Sequence, residues 1–193
     1  MKTLLAFTAG ILLATATAVS ADHHEGMSTL NADVIWHLNE AQGKIMRLAE
    51  AMPDKKLSWR PGKEVRSAGE VYMHIAGANY FFASLLGTPI PTGIDPMTMD
   101  KSVPEKAKMI DTMKQSFAHV EKAIQGVSED MYGEMVKTPM GDMSKRQVVL
   151  LVLRHADEHL GQSIAYARMN NVVPPWTAEE NAAMKAAAEK EGK

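Results

Sequence analysis

The chain has 193 residues, with 21 Lys and Arg against 23 Asp and Glu, seven His, fifteen Met and no Cys. This length suits one domain whose core needs no disulfide or metal staple. A formal charge of -2 speaks against nucleic acid as a partner, and the lack of Cys removes disulfides, thiolate zinc sites, iron–sulfur clusters and cysteine nucleophiles together.

Met1 and Lys2 give a positive start, residues 4–18 are largely apolar, and Val19-Ser20-Ala21 supplies small residues before Asp22-His23-His24-Glu25. This layout predicts a bacterial signal peptide over residues 1–21 and a flexible tail over 22–27. The mature protein is then expected to be periplasmic or secreted. The apolar run is too short and too Thr-interrupted for a membrane span. A chain without Cys also suits an oxidising compartment, where it cannot mispair. Cleavage after Ala21 would leave Asp22-His23-His24 as an N-terminal chelate for Cu(II) or Ni(II), with a plain polar tail as the alternative.

The mature chain reads as helices. Leu30, Val34, Leu38, Ala41, Ile45, Leu48 and Met52 form one stripe, which Pro53 stops. A turn-rich connection over 54–66 contains Trp59-Arg60-Pro61-Gly62. Ser67 and Glu70 make a capping box for a second helix, whose stripe runs Val71, His74, Ile75, Ala78, Phe82, Leu85 to a stop at Gly87. A long loop over 88–101 follows. A third helix is expected from near Ser102, with Pro104 in its first turn and Glu105 completing a capping signal. Its stripe is Ile110, Met113, Phe117, Val120, Ile124 and Val127. Residues 128–143 read as loop. Ser144 with Gln147 opens a fourth helix through Val148, Val152, His155, His159, Gln162, Tyr166 and Met169. Thr177 with Glu180 opens an Ala-rich terminal helix. The pattern predicts an all-α four-helix bundle over residues 28–176, with crossovers open at the longer loops, and a short extra C-terminal helix or tail over 177–193.

His155 and His159 stand four apart, so their side chains share one helix face. They continue the stripe of Val148 and Val152 and therefore point inward. Two buried imidazoles without partners are costly, and a pair at this spacing is a recurring clamp for a divalent metal. His74, in phase on the second helix, supplies a third ligand and leaves positions open for water or substrate. A satisfied core histidine is the plain alternative for any one of them. The run His155-Ala156-Asp157-Glu158-His159 also matches the inverted zinc-protease motif. Only 34 residues follow it, and they offer no further domain for the remaining ligand. His119 lies off its stripe and reads as solvated. His37, on the flank of the first stripe, is left open between an additional ligand and an exposed side chain. Met46, Met52, Met113 and Met169 read as core filler, whereas Met97, Met99, Met140 and Met143 fall in loops and argue little for copper carriage.

The segments Leu57-Ser58-Trp59-Arg60-Pro61, Ser67 and His74-Ile75-Ala76-Gly77-Ala78-Asn79 resemble the first half of the DinB/YfiT-like superfamily. The segments His155-Ala156-Asp157-Glu158-His159-Leu160-Gly161-Gln162, Tyr166-Ala167-Arg168 and Val173-Pro174-Pro175-Trp176 resemble its second half. The resemblance implies a four-helix bundle and a divalent metal, with zinc, nickel or iron as candidates, on His74, His155 and His159. It also implies either thiol-dependent transferase, isomerase or hydrolase-like chemistry or none yet known. Export weakens the thiol-dependent option, because few reduced thiols are met outside the cytoplasm.

Two classes follow. One is a metal-dependent hydrolase or transferase acting on an unidentified small-molecule substrate. Glu70, Asn79, Gln162 and Tyr166 are its candidate pocket or supporting residues, although capping already explains Glu70 and core packing Tyr166. The other is a non-catalytic metal- or small-ligand-binding stress protein, which a closed site with His37 as fourth ligand would favour. A homodimer is compatible with such a bundle, and no residue demands one.

Overall fold

Four long helices carry the apolar stripes: α1 (Thr29–Ala51), α2 (Ala68–Leu85), α3 (Lys106–Gln125) and α4 (Lys145–Met169). A fifth, α5 (Pro175–Glu191), follows them. The computed structural model describes residues 27–191, so the expected leader and His23 and His24 lie outside the described residues. Among the described residues no helix is long and apolar enough to cross a membrane.

Local chemistry sets the helix starts. Ser28 caps α1 by accepting from the Asn31 N–H. Full capping boxes open α2, through Ser67 and Glu70, and α4, through Ser144 and Gln147. The start of α3 differs from expectation. It begins at Lys106 after Glu105, whose side chain makes no cap bond. Pro104 precedes the helix, because a proline biases the residue before it toward extended backbone and Ser102 is already extended. The terminal helix opens at Pro175, two residues earlier than Thr177, since the fixed φ of proline suits the first helical position.

The segment 128–143, expected to be loop, holds a 3-10 turn at Glu129–Gly133 and a two-stranded antiparallel hairpin. Its strands β1 (Met135–Thr138) and β2 (Gly141–Ser144) pair Thr138 with Gly141. Gly141 stands at φ 108°, a conformation that favours glycine.

α2 packs on α3 and α4, and α1 packs on α4 and α3. α1 and α2 therefore lie on one diagonal of the bundle and α3 and α4 on the other, so the long connections after α1 and α3 each cross it. Ile45, Leu48, Met52, Ile75, Met109, Met113, Phe117, Val120, Ile124 and Val148 are wholly buried between the four. The core takes one polar residue from α1: Asn31 donates to the Ile124 and Val127 carbonyls at 2.9 and 2.6 Å and accepts from the Tyr132 hydroxyl at 2.9 Å. It thereby ties α1 to the last turn of α3 and the residues just after it, adding to the Val127 N–H bond that the Ile124 carbonyl already accepts. Met169 is exposed and is not core filler. α5 projects from the bundle, tied to α1 by the Arg47–Glu179 ion pair.

Candidate metal centre

His74 comes from α2 and His155 and His159 from α4, two helices packed side by side. One ring nitrogen from each lies within 4.8 Å of the others, and no further His, Asp or Glu joins the group among the described residues. The Nε2 atoms of His74 and His155 stand 3.2 Å apart. Two nitrogens bound at about 2.0–2.1 Å to one tetrahedral ion are separated by about 3.4 Å, so the observed spacing fits a shared divalent metal. Without metal, the same spacing serves a hydrogen bond in which one ring donates to the other.

The third ring is fixed by its neighbours. His159 Nδ1 donates to Gln162 Oε1 at 2.8 Å, which leaves Nε2 with the lone pair available to a metal. Gln162 Nε2 in turn donates to the Tyr166 hydroxyl at 3.0 Å, and the Tyr166 ring meets Trp59 edge-on at 5.3 Å. A continuous chain therefore runs from the connection after α1 to the metal group. Trp59 is part of a segment that also caps α2, where the Ala68 and Gly69 N–H groups donate to the Trp59 and Leu57 carbonyls at 2.9 and 2.8 Å.

The three imidazoles are held neutral, which is the form that ligates. Burial, with help from Arg66 and His159, pushes His74 down to about 4. Burial and its two His neighbours push His155 to about 3. Burial also lowers His159, while the Gln162 bond opposes this.

A cavity of about 300 Å³ opens beside His74 and His155. Phe81 and Phe82 of α2 line it. Pro96, Met97, Asp100 and Lys101 come from the connection after α2, and Pro139 and Met140 from the hairpin turn. Gly77 permits the close approach of the first wall: a Cβ there would stand 2.4 Å from the Pro96 carbonyl oxygen. Arg66 lies at the edge, its Nε donating to the buried Asp100 carboxylate at 2.7 Å. Burial would raise Asp100, but Arg66 and Lys101 outweigh it and hold the carboxyl below its ordinary value.

Of the remaining candidates, Gln162 and Tyr166 reach the metal group, whereas Glu70 and Asn79 do not. Glu70 accepts from the Ser67 N–H at 2.7 Å and from Arg60 at 2.6 Å, and it lines a separate cavity of about 350 Å³. Burial alone would raise its carboxyl, but these two donors lower it. Asn79 is buried and donates to Ser116 Oγ of α3 at 3.2 Å. His37 is exposed, with its ring edge-on to Trp36, and does not join the group. His119 is half-buried rather than solvated, because α3 turns it against Tyr80 of α2, with ring centroids 5.1 Å apart. Arg66 and Asp100 carry no periodic signal, and sequence reasoning missed both.

The fold has solved counterparts of low sequence identity. A DinB-like protein from Bacillus cereus superposes with a TM-score of 0.64 at 16% identity, covering 75% of this chain and 95% of that one. YfiT from Bacillus subtilis, described as a probable metal-dependent hydrolase with an unusual four-helix bundle topology, gives 0.60 at 15%, covering 77% and 93%. A mycothiol-dependent maleylpyruvate isomerase gives 0.56 at 14%, covering 69% and 62%. No curated protein matches the sequence. The family model of the DinB superfamily matches residues 37–163, well over half of the chain and a span that includes all three clustered histidines, and the protein belongs to that superfamily.

Proposed function

We infer that the protein is an exported metal-dependent hydrolase that holds a divalent ion on His74, His155 and His159. The carrying observation is a three-imidazole group, two of whose rings, His74 and His155, line a cavity. A divalent ion held by three neutral ligands supplies Lewis-acid polarisation and a bound water of lowered pKa. The protein's own contributions are distinct. His155 and His74 present Nε2 from two helices, Gln162 holds His159 in the ligating tautomer, and Phe81 and Phe82 keep the substrate side apolar.

Water as co-substrate fits a chain with a leader-like start and no Cys better than transfer to a low-molecular-weight thiol. The exposure of His37 supports the enzyme over a closed storage site. The description of YfiT as a probable metal-dependent hydrolase points the same way.

The test is elemental analysis of untagged protein from its native compartment, followed by hydrolysis of a panel of small esters and amides. We expect one divalent ion per chain, activity lost with chelator and activity restored by metal. A protein that takes up no metal after reconstitution would overturn the reading. Metal uptake without turnover of any ester or amide would shift it to a binding protein.

A further inference from the structure

The cavity's chemistry is asymmetric. Phe81, Phe82, Met97 and Met140 give it apolar lining, while its charged groups, Arg66, Asp100 and Lys101, are gathered together. They are two cations, Arg66 and Lys101, against the single carboxylate of Asp100. Asp100 is committed: it is 7% exposed, bonded by Arg66 Nε at 2.7 Å and approached by Lys101 Nζ at 3.6 Å. The bond to Asp100 uses Nε of Arg66, and among the described residues the guanidinium makes no other hydrogen bond. The outer nitrogens are therefore free to form the parallel pair of bonds that suits a carboxylate.

The pairing also orients the guanidinium. Arg66 directly precedes the Ser67 cap of α2, so its backbone is fixed by the capping box. Asp100 sits in the 3-10 turn at Met99–Lys101, which the Gly77 contact seats against α2. Arg66 lines the same cavity as His74 and His155, so its charge and two of the clustered imidazoles face one space.

We propose that the cavity selects small organic carboxylates with an apolar body, and that Arg66, positioned by Asp100, is the residue that receives the carboxylate. This rests on the metal-site reading only for which reaction follows, because the charged group is built from residues that do not ligate. A cavity of about 300 Å³ is at the small end for ligand sites, which suits a molecule with one ring or a short acyl chain. A divalent ion on three neutral ligands adds further positive charge and reinforces the same choice.

The test uses hexanoate, benzoate and 3-phenylpropionate, each against its uncharged amide, titrated calorimetrically into zinc-loaded and metal-free full-length protein. We expect at least one acid to bind tenfold or more tightly than its amide in both forms. Arg66→Gln should reduce that preference to within twofold while metal content and amide binding stay unchanged. Arg66→Lys should retain part of it, which separates charge recognition from a folding defect. Lys101→Gln should cost less than threefold, because its side chain is 74% exposed. Equal binding of acids and amides, no binding of any probe at millimolar concentration, or a preference that survives Arg66→Gln would each overturn the proposal. A preference that exists only with zinc present would assign the carboxylate to the metal and overturn it too. Failure to load zinc with the preference intact in the metal-free protein would sink the metal-site reading alone.

Discussion

Gln162→Leu is the most discriminating perturbation of the metal group, because it leaves every ligand in place. The side chain is replaced by one of similar size, and two hydrogen bonds disappear: the 2.8 Å bond from His159 Nδ1 and the 3.0 Å bond to the Tyr166 hydroxyl. His159 then has no fixed tautomer and no acceptor to hold its ring. Loss of such an outer partner typically weakens metal affinity about 10–100-fold, equivalent to about 1.4–2.7 kcal/mol. The effect is expected toward the upper end, since Gln162 is the sole partner of Nδ1 among the described residues. Gln162→Glu keeps an acceptor and makes it anionic, so affinity should match or exceed that of the parent. Tyr166→Phe removes only the outer bond and should cost less than about threefold, below the range for a direct partner. Competition with a chromogenic zinc chelator at pH 7.5 measures all three. An affinity for Gln162→Leu within twofold of the parent would refute the claim that this amide holds His159 as a ligand.

His155→Ala should lose its bound metal while His119→Ala retains it, as elemental analysis of the purified variants reads directly. Gly77→Ala should lower stability by about 1–3 kcal/mol, the usual range for forcing volume into a packed site, because the new methyl meets a backbone carbonyl 2.4 Å away; thermal melting checks this, and an unchanged Tm would mean that the wall seated on α2 yields freely. The metal-free protein should lose stability in acid. Its unfolded imidazoles titrate near 6.5, whereas burial holds folded His74 near 4 and His155 near 3. The unfolded state therefore binds more protons between pH 6.5 and about 4, and stability present above that window is lost as pH falls through it. Allowing for solvent screening of these half-buried rings, the loss is on the order of 1 kcal/mol each, and denaturant midpoints at pH 7.5, 6 and 5 should show it. Zinc should shift the profile, because protons then compete with the metal for the same nitrogens.

Where helical periodicity applies, sequence alone locates the three histidines that the fold brings together. His74, His155 and His159 interrupt stripes that are otherwise apolar, and the capping boxes at Ser67 and Ser144 set the phase of both helices. The same reasoning fails for neighbours chosen by proximity along the chain. Glu70 is one turn from His74, but the Ser67 N–H and Arg60 claim its oxygens. Asn79 is five residues on, which turns it about 140° around the helix, toward Ser116 on α3. His119 looked solvated because its partner, Tyr80, belongs to another helix. The hairpin was missed because its four-residue strands are too short to show alternation. Arg66 and Asp100, 34 residues apart, are joined by a tertiary contact that no local pattern encodes.

These differences in legibility follow the division of labour in the molecule. The metal group sits on two long helices that pack against each other and share a buried core, so its geometry is set by the same periodicity that folds the bundle. The cavity beside it takes about half of its lining from the connection after α2 and from the turn at Pro139 and Met140, which lie outside the bundle helices. Connections tolerate substitution and insertion far better than packed helices do. Two bundles of this architecture can thus keep equivalent metal positions while differing wholly in what the cavity admits. That is why superposition with proteins at 14–16% identity establishes the bundle, while the proposed carboxylate preference rests on Arg66, Asp100 and the apolar side chains that line the cavity. It also predicts that Arg66→Gln and His155→Ala fail differently: the first should change which ligands bind with metal content intact, and the second should remove the metal while leaving the acid-over-amide preference in place.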